Sequence, residues 1–210
     1  MYKRQGYNFT KPPTAGSPSL SNLGVLNCLQ FTMSQDDALY NTSSGLYMTT
    51  YSGNSTWFAV FKSDFDTAPT SHGNQMTGTA YTTGLMYAGL NVNATDYGAG
   101  GYDSTAFWND TNDFSAYVDD IPVTQAQVVC GYRDGTTQAI IDQDGNTASN
   151  TSASGVYANH TFVGGAVKSS NGKIQYAYGG KIGEVIMYNR KLTTSEIDEV
   201  MNYLKTKWNT

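Results

Sequence analysis

The stretch "KIGEVIMYNRKLTTSEIDEVMNYLKTKW", residues 181–208, changes period halfway along. From Lys181 to Arg190, apolar and β-branched residues crowd together, as they do in a strand covered by other structure. From Leu192 the pattern becomes helical. Thr193 stands where an N-cap belongs, and Glu196, three residues on, completes a capping box. Leu192 and Ile197 are spaced as a hydrophobic staple across that start. Ile197, Val200, Met201, Leu204 and Trp208 then recur at helical spacing and form one apolar stripe. The spacing predicts a strand followed by a helix that lies as a lid on a sheet.

Upstream, short apolar runs alternate with turn residues. "GVLNCLQF" (24–31) and "STWFAVFKSD" (55–64) read as strands, the second with Trp57, Ala59 and Phe61 on one face and Phe58 and Val60 on the other. When both faces are apolar, both are covered. "AQVVCGYRDGTTQAIIDQDGN" (126–146) reads as a hairpin turning at Asp134-Gly135, with Asp144-Gly145 ending its second strand. "TGLMYAGLNV", "GVYANHTFVGGAV" and "KIQYAYG" are further strand candidates. Turn signals every 8 to 12 residues with no helical period between them indicate an antiparallel sandwich or jelly roll. Residues 11–21, "KPPTAGSPSLS", hold three of the five prolines, so residues 1–22 are expected as a Pro/Ser-rich arm before a single domain over 23–210. Such an arm is mobile unless it lies against a neighbour or against its own sandwich.

Composition narrows the function classes. Charged residues make up 14% of the chain and aromatics 13%, so the polar surface is built mainly from hydroxyls and amides. A formal charge of −5 with no Lys/Arg run argues against a nucleic-acid partner. No apolar window is long enough for membrane insertion, and "MYKRQGYNFTKPP" carries no apolar core of a secretory leader. Seven N-x-S/T sequons occur, weak evidence of glycosylation in a chain this rich in Asn, Ser and Thr. Cys28 and Cys130 match no metal spacing, and each sits in an apolar run as a small buried hydrophobe.

The closing run resembles the signature of the concanavalin A-like lectin/glucanase superfamily in its laminin G-like form. Gly180, Ile182, Glu184, Val185, Tyr188, Asn189, Arg190, Leu192, Glu196, Tyr203, Leu204, Lys207 and Trp208 carry the likeness. "LQFTMSQDDALY", with Asp36 and Asp37, is similar to the opening strand of that family, and the 126–146 hairpin to its centre. The resemblance implies an all-β, two-sheet antiparallel jelly-roll sandwich with one C-terminal α-helix. It also raises glycoside cleavage, for which glucanase members use a closely spaced pair of carboxylates in a Glu-x-Asp-x-x-Glu strand. This chain has only Glu184, Glu196 and Glu199, all in the closing strand and helix, and lacks that motif.

Other chemistry is sparse. His72 and His160 stand in no Ser, Cys or Glu motif, "YGAGGYDS" lacks a phosphate-cradle spacing, and the hairpin already accounts for the Asp-Gly of "IIDQDGN" without calcium. No catalytic residue, metal or cofactor is expected. The candidate ligand-binding residues are Trp108, Asn109, Asp110 and Asn112, where an aromatic borders short amides and carboxylates that suit sugar faces and hydroxyls, together with Tyr97 and Tyr102. A polar loop pinned by Trp108 and Phe114 is the plainer alternative. The combined expectation is a non-enzymatic virion or extracellular surface protein, partnered by other virion proteins, copies of itself or surface glycans. A glycan-binding module of a secreted protein is the second expectation.

Overall fold

The computed structural model describes residues 9–41, 54–65, 74–80, 86–92, 105–109, 114–151, 160–168, 173–175 and 177–210. Its strands are β1 (Ser19–Leu23), β2 (Leu26–Phe31), β3 (Leu39–Asn41), β4 (Ser55–Ser63), β5 (Asn74–Ala80), β6 (Met86–Val92), β7 (Thr105–Asn109) and β8 (Phe114–Val118). After these come β9 (Gln127–Asp134), β10 (Thr137–Ile141), β11 (Thr147–Thr151), β12 (His160–Val163), β13 (Ala166–Lys168), β14 (Lys173–Gln175) and β15 (Gly180–Tyr188), and the helix α1 (Thr194–Trp208) closes the chain. A seven-stranded sheet in the order β1-β2-β15-β4-β9-β10-β11 faces a six-stranded sheet in the order β3-β12-β5-β6-β7-β8, with β13–β14 a small separate hairpin. The named pairings within the sheets are antiparallel. This is the two-sheet sandwich with a terminal helix.

β4 shows why the layers form. Trp57, Ala59 and Phe61 point between the sheets, where they meet Phe31, Met76, Leu90, Val129, Ile140 and Ile182. Phe58 and Val60 point the other way, onto Val128, Cys130, Leu192 and the helix residues Ile197, Met201, Leu204 and Trp208. The alternation read from sequence is thus realised on both faces. An isolated helix of 15 residues is marginal in water, so α1 owes its stability to burying that stripe, at about 1.5–3 kcal/mol per large side chain. Its start is fixed as expected. The Thr193 side chain accepts from the Glu196 backbone N–H at 3.3 Å, and Glu196 Oε2 accepts from the Thr193 backbone N–H at 2.9 Å. Thr56 Oγ1 ties the strand–helix junction to β4, accepting from Leu192 N–H and donating to Arg190 O, both at 3.0 Å.

Several local expectations need adjustment. The β9–β10 turn is Gly135-Thr136, one residue later than Asp134-Gly135, because Asp134 still pairs with Thr137. Gly135 supplies the positive φ of 57° at the first loop position, the arrangement of a type II′ turn. "GVYANHTFVGGAV" holds two short strands, β12 and β13, separated by Gly164-Gly165. "AFWNDTNDFSAY" spans most of β7 and β8, so Trp108 and Phe114 belong to strands on either side of residues 110–113. The Pro-rich segment, from residue 9 onward, lies against the sandwich of its own chain. Thr10 and Tyr40 exchange backbone hydrogen bonds at 2.9 and 2.8 Å, Ala15 is buried beside Ala38, Ile174 and Ala177, and β1 forms the sheet edge. Cys28 and Cys130 are free thiols buried in the layer beneath α1, and burial raises the pKa of each.

Candidate functional site on the six-stranded sheet

The seven-stranded sheet is covered on both faces, by the opposing sheet and by α1. On the six-stranded sheet, register separates the faces of β6, β7 and β8. Leu90, Phe107 and Ala116 lie opposite one another, as do Val92, Thr105 and Val118, and Leu90, Ala116 and Val118 are buried in the inter-sheet core. By backbone register the alternate positions fall on the other face: Gly89, Trp108 and Ser115 form one cross-strand row, and Asn91, Ala106 and Tyr117 the next. Trp108 and Tyr117 are diagonal neighbours on that face, about 7–8 Å apart by sheet geometry. Tyr117 is half-buried. The elements packed on β7 and β8 are their own sheet neighbours and β9, β10 and β11 across the core.

The sequence-predicted residues divide around β7. Trp108 and Asn109 end this strand, whereas Tyr97, Tyr102, Asp110 and Asn112 lie outside the described residues. Residues 93–104 join β7 at Thr105, and 110–113 leave it at Asn109. The two groups are thus attached about 14 Å apart, four strand rises of about 3.4 Å. Sequence reasoning missed Tyr117, which the register places on the face of Trp108. The alternation Phe114, Ser115, Ala116, Tyr117, Val118 carried that signal, with Ala116 and Val118 turned inward.

The carboxylates that family resemblance made suspect have structural work. Glu184 Oε2 accepts from Lys207 Nζ at 2.7 Å and from Trp208 Nε1 at 3.0 Å. Glu196 holds the helix cap and binds both terminal nitrogens of Arg190, at 2.9 and 2.6 Å, which with the cap lowers its carboxyl pKa to about 2. Glu199 is exposed on the helix. In "IIDQDGN" the Asp142 carboxylate accepts from Asp144 N–H at 2.9 Å, Asn146 N–H at 2.8 Å and Asn146 Nδ2 at 2.7 Å. Those oxygens bind the turn, and Gly145 adopts φ 87° within it. Among the described residues, no cluster of three His, Cys, Asp or Glu side chains is placed to hold a metal ion.

No protein-family model matches the chain, and no curated protein matches it either. Solved structures do. Domain 4 of AbnA, a GH43 extracellular arabinanase from Geobacillus stearothermophilus solved with arabinotriose, aligns at TM-score 0.60 and 14% identity over 92% of this chain and 87% of its own. The CBM40 of the Ruminococcus gnavus IT-sialidase, bound to alpha2,3 sialyllactose, aligns at 0.52 and 15% over 71% and 83%. The receptor binding domain of a botulinum neurotoxin C/D mosaic serotype aligns at 0.62 and 11% over 94% of this chain, which spans 47% of that domain. At such identities the likeness establishes the fold, an antiparallel β-sandwich. Its laminin G-like form rests on the sequence resemblance.

Proposed function

We propose that the chain is a non-catalytic glycan-recognition domain whose contact face is the outer surface of β6–β8. The observation that carries this is backbone register: Trp108 and Tyr117 hold diagonal positions on one face of β7–β8, with Gly89, Ala106 and Ser115 at neighbouring positions and Asn91 in the row of Tyr117. Aromatic rings at the ends of a shallow surface stack on sugar faces, and short polar groups bond hydroxyls. The sialyllactose and arabinotriose held by two structural neighbours support this class of ligand. Glu184 and Glu196 are committed to the helix junction, which weighs against a hydrolytic pair.

The domain belongs, in our proposal, to a virion surface, as a capsid decoration, head fibre or tail-associated protein. The hydroxyl- and amide-rich composition supports that setting, and a secreted lectin-like module is the second. Titration of the purified chain against a glycan array tests recognition. Trp108→Ala and Tyr117→Ala should each weaken the best ligand about tenfold, the equivalent of one stacking contact near 1.4 kcal/mol. A parent chain silent across neutral and acidic glycans would remove the proposal. Immunogold microscopy of particles from the source tests the setting, and label confined to particle-free fractions would remove the virion role.

A further inference from the structure

A cleft of about 490 Å³ opens between the β10–β11 turn and the end of α1, lined by Gln143, Asp144, Lys205, Thr206, Asn209 and Thr210. Its volume is that of a small-molecule site, and each of the six side chains carries a hydrogen-bond donor or acceptor. Both walls are held from behind. The Asp142 carboxylate fixes the turn through the N–H groups of Asp144 and Asn146 and the Asn146 amide. The helix end is seated by Trp208, whose Nε1 donates to Glu184 Oε2 at 3.0 Å. Lys205 Nζ links the two walls by donating to Gln143 O at 3.1 Å. A cleft shaped in advance in this way loses little freedom when a ligand enters.

The groups in it are open to solvent and unspent. Asp144, Thr206 and Asn209 are exposed. Among the described residues, nothing bonds the Asp144 carboxylate, the Thr206 hydroxyl or the Asn209 side-chain amide. Lys205 spends one donor on Gln143 and keeps the others. Asp144 and Lys205 line the same cleft without pairing with each other. The N–H groups of Asn209 and Thr210 both turn back to Lys205 O, so the carbonyls that follow it bring the negative end of the helix dipole to this place.

These charges select a ligand class. An anion meets Asp144 and the helix end, and a cation meets Lys205. A neutral hydroxyl meets neither objection, because it donates to a carboxylate and accepts from an ammonium through the same oxygen. We infer that this cleft is a second saccharide site, one that takes a neutral sugar of one or two units, with hydroxyls bridging Asp144 and Lys205 and others reaching Thr206 and the Asn209 amide. This takes its ligand class from the glycan-recognition proposal and adds a place distinct from the β6–β8 face. Hydrogen bonds exchanged against water, with no ring to stack on, give an affinity of about millimolar.

Proton–nitrogen correlation spectra of the full chain test this. The neutral probes are lactose, maltose, cellobiose and diacetylchitobiose, with digalacturonate as the anionic probe and calcium chloride as the cationic one. At least one neutral disaccharide should shift the amide signals of Asp144, Thr206 and Asn209 saturably, with Asp144→Ala and Asn209→Gly each weakening it at least fivefold. Neither replaced side chain has a partner, and glycine keeps the left-handed backbone of position 209, so both variants should fold. If one does not, the other decides. Shifts at these amides with digalacturonate or calcium alone, shifts with no probe at all, or neutral binding within twofold of the parent in the folded variants each overturn the inference and leave a water-filled cleft. Trp108→Ala should leave the cleft response unchanged. A response lost in Trp108→Ala but kept in both cleft variants overturns the second site and leaves the β6–β8 proposal standing, whereas the reverse pattern supports the cleft and removes that face.

Discussion

Trp208 and Gly183 form a contact whose energetics can be worked from geometry. Trp208 is 6% exposed at the end of α1, and its indole lies over Gly183, where β15 shifts register against β4 between Ile182 and Glu184. A Cβ built on Gly183 would stand 2.6–2.9 Å from three atoms of the indole ring. No alanine fits there unless the ring moves. Trp208→Ala removes a large buried side chain and its bond to Glu184, and should cost about 3 kcal/mol, the low end for Trp truncation because the last helical turn can relax. Gly183→Ala should cost about 2 kcal/mol by overpacking. In the double variant the new methyl occupies space vacated by the indole, so the total should stay near 3 kcal/mol rather than reach about 5. Urea unfolding followed by far-UV circular dichroism measures all three, avoiding the fluorescence that the substitution itself removes. Additive costs, or a Trp208→Ala loss under about 0.5 kcal/mol, would show that the helix end is not seated on Gly183.

Thr193→Ala should cost about 1 kcal/mol by removing the N-cap, read from the urea midpoint. Glu196 has its carboxyl pKa lowered to about 2, chiefly by the Arg190 hydrogen bonds, so its contribution is present above the ordinary carboxylate pKa and is lost as pH falls from about 4.5 to about 2. The melting-temperature gap between parent and Glu196→Gln should therefore narrow across that range, and a constant gap would refute the linkage. Asp142→Ala should cost about 2 kcal/mol through three lost acceptor contacts, while EDTA leaves the parent's melt unchanged because the turn's own N–H groups occupy that carboxylate. Cys28 and Cys130 should react with a thiol reagent only at the rate of unfolding, since burial raises both pKa values and hides both sulfurs.

The parts of the fold legible in sequence are those whose chemistry is local. Thr193 and Glu196 satisfy the first helical N–H groups from three residues apart, and the faces of β4 follow from strict alternation along one strand. Where a residue's environment comes from a distant strand, the sequence is mute. Ser19–Leu23 looks like more linker because its edge position leaves most of its side chains exposed, and its two leucines, three residues apart, mark no single face: Leu23 is buried and Leu20 exposed. Trp108 stood out as an aromatic beside amides, yet its position diagonal to Tyr117 exists only once β7 and β8 are in register. Arg133 and Gln138 sit beside a turn, where polar residues ordinarily face water. The opposing sheet is what buries them.

The two sheets carry unequal loads, and the imbalance bears on where recognition belongs. β4, β9 and β15 are closed by core on one side and helix on the other, and Gly183, Thr56 and Glu184 each fit the helix to its sheet by a specific contact. Changing a residue there disturbs packing first. In our proposal recognition belongs to the face of β6–β8 turned away from that reinforced layer, so substitutions at Trp108 or Tyr117 should remove contact chemistry with the interior left closed. Stability and binding should consequently separate by position. Changes under α1 should lower the melt with ligand affinity per folded molecule preserved, whereas Trp108→Ala should lower affinity with the melt preserved. Parallel loss of both properties at Trp108 would mean that its ring supports the sheet and that recognition must be sought elsewhere on the sandwich.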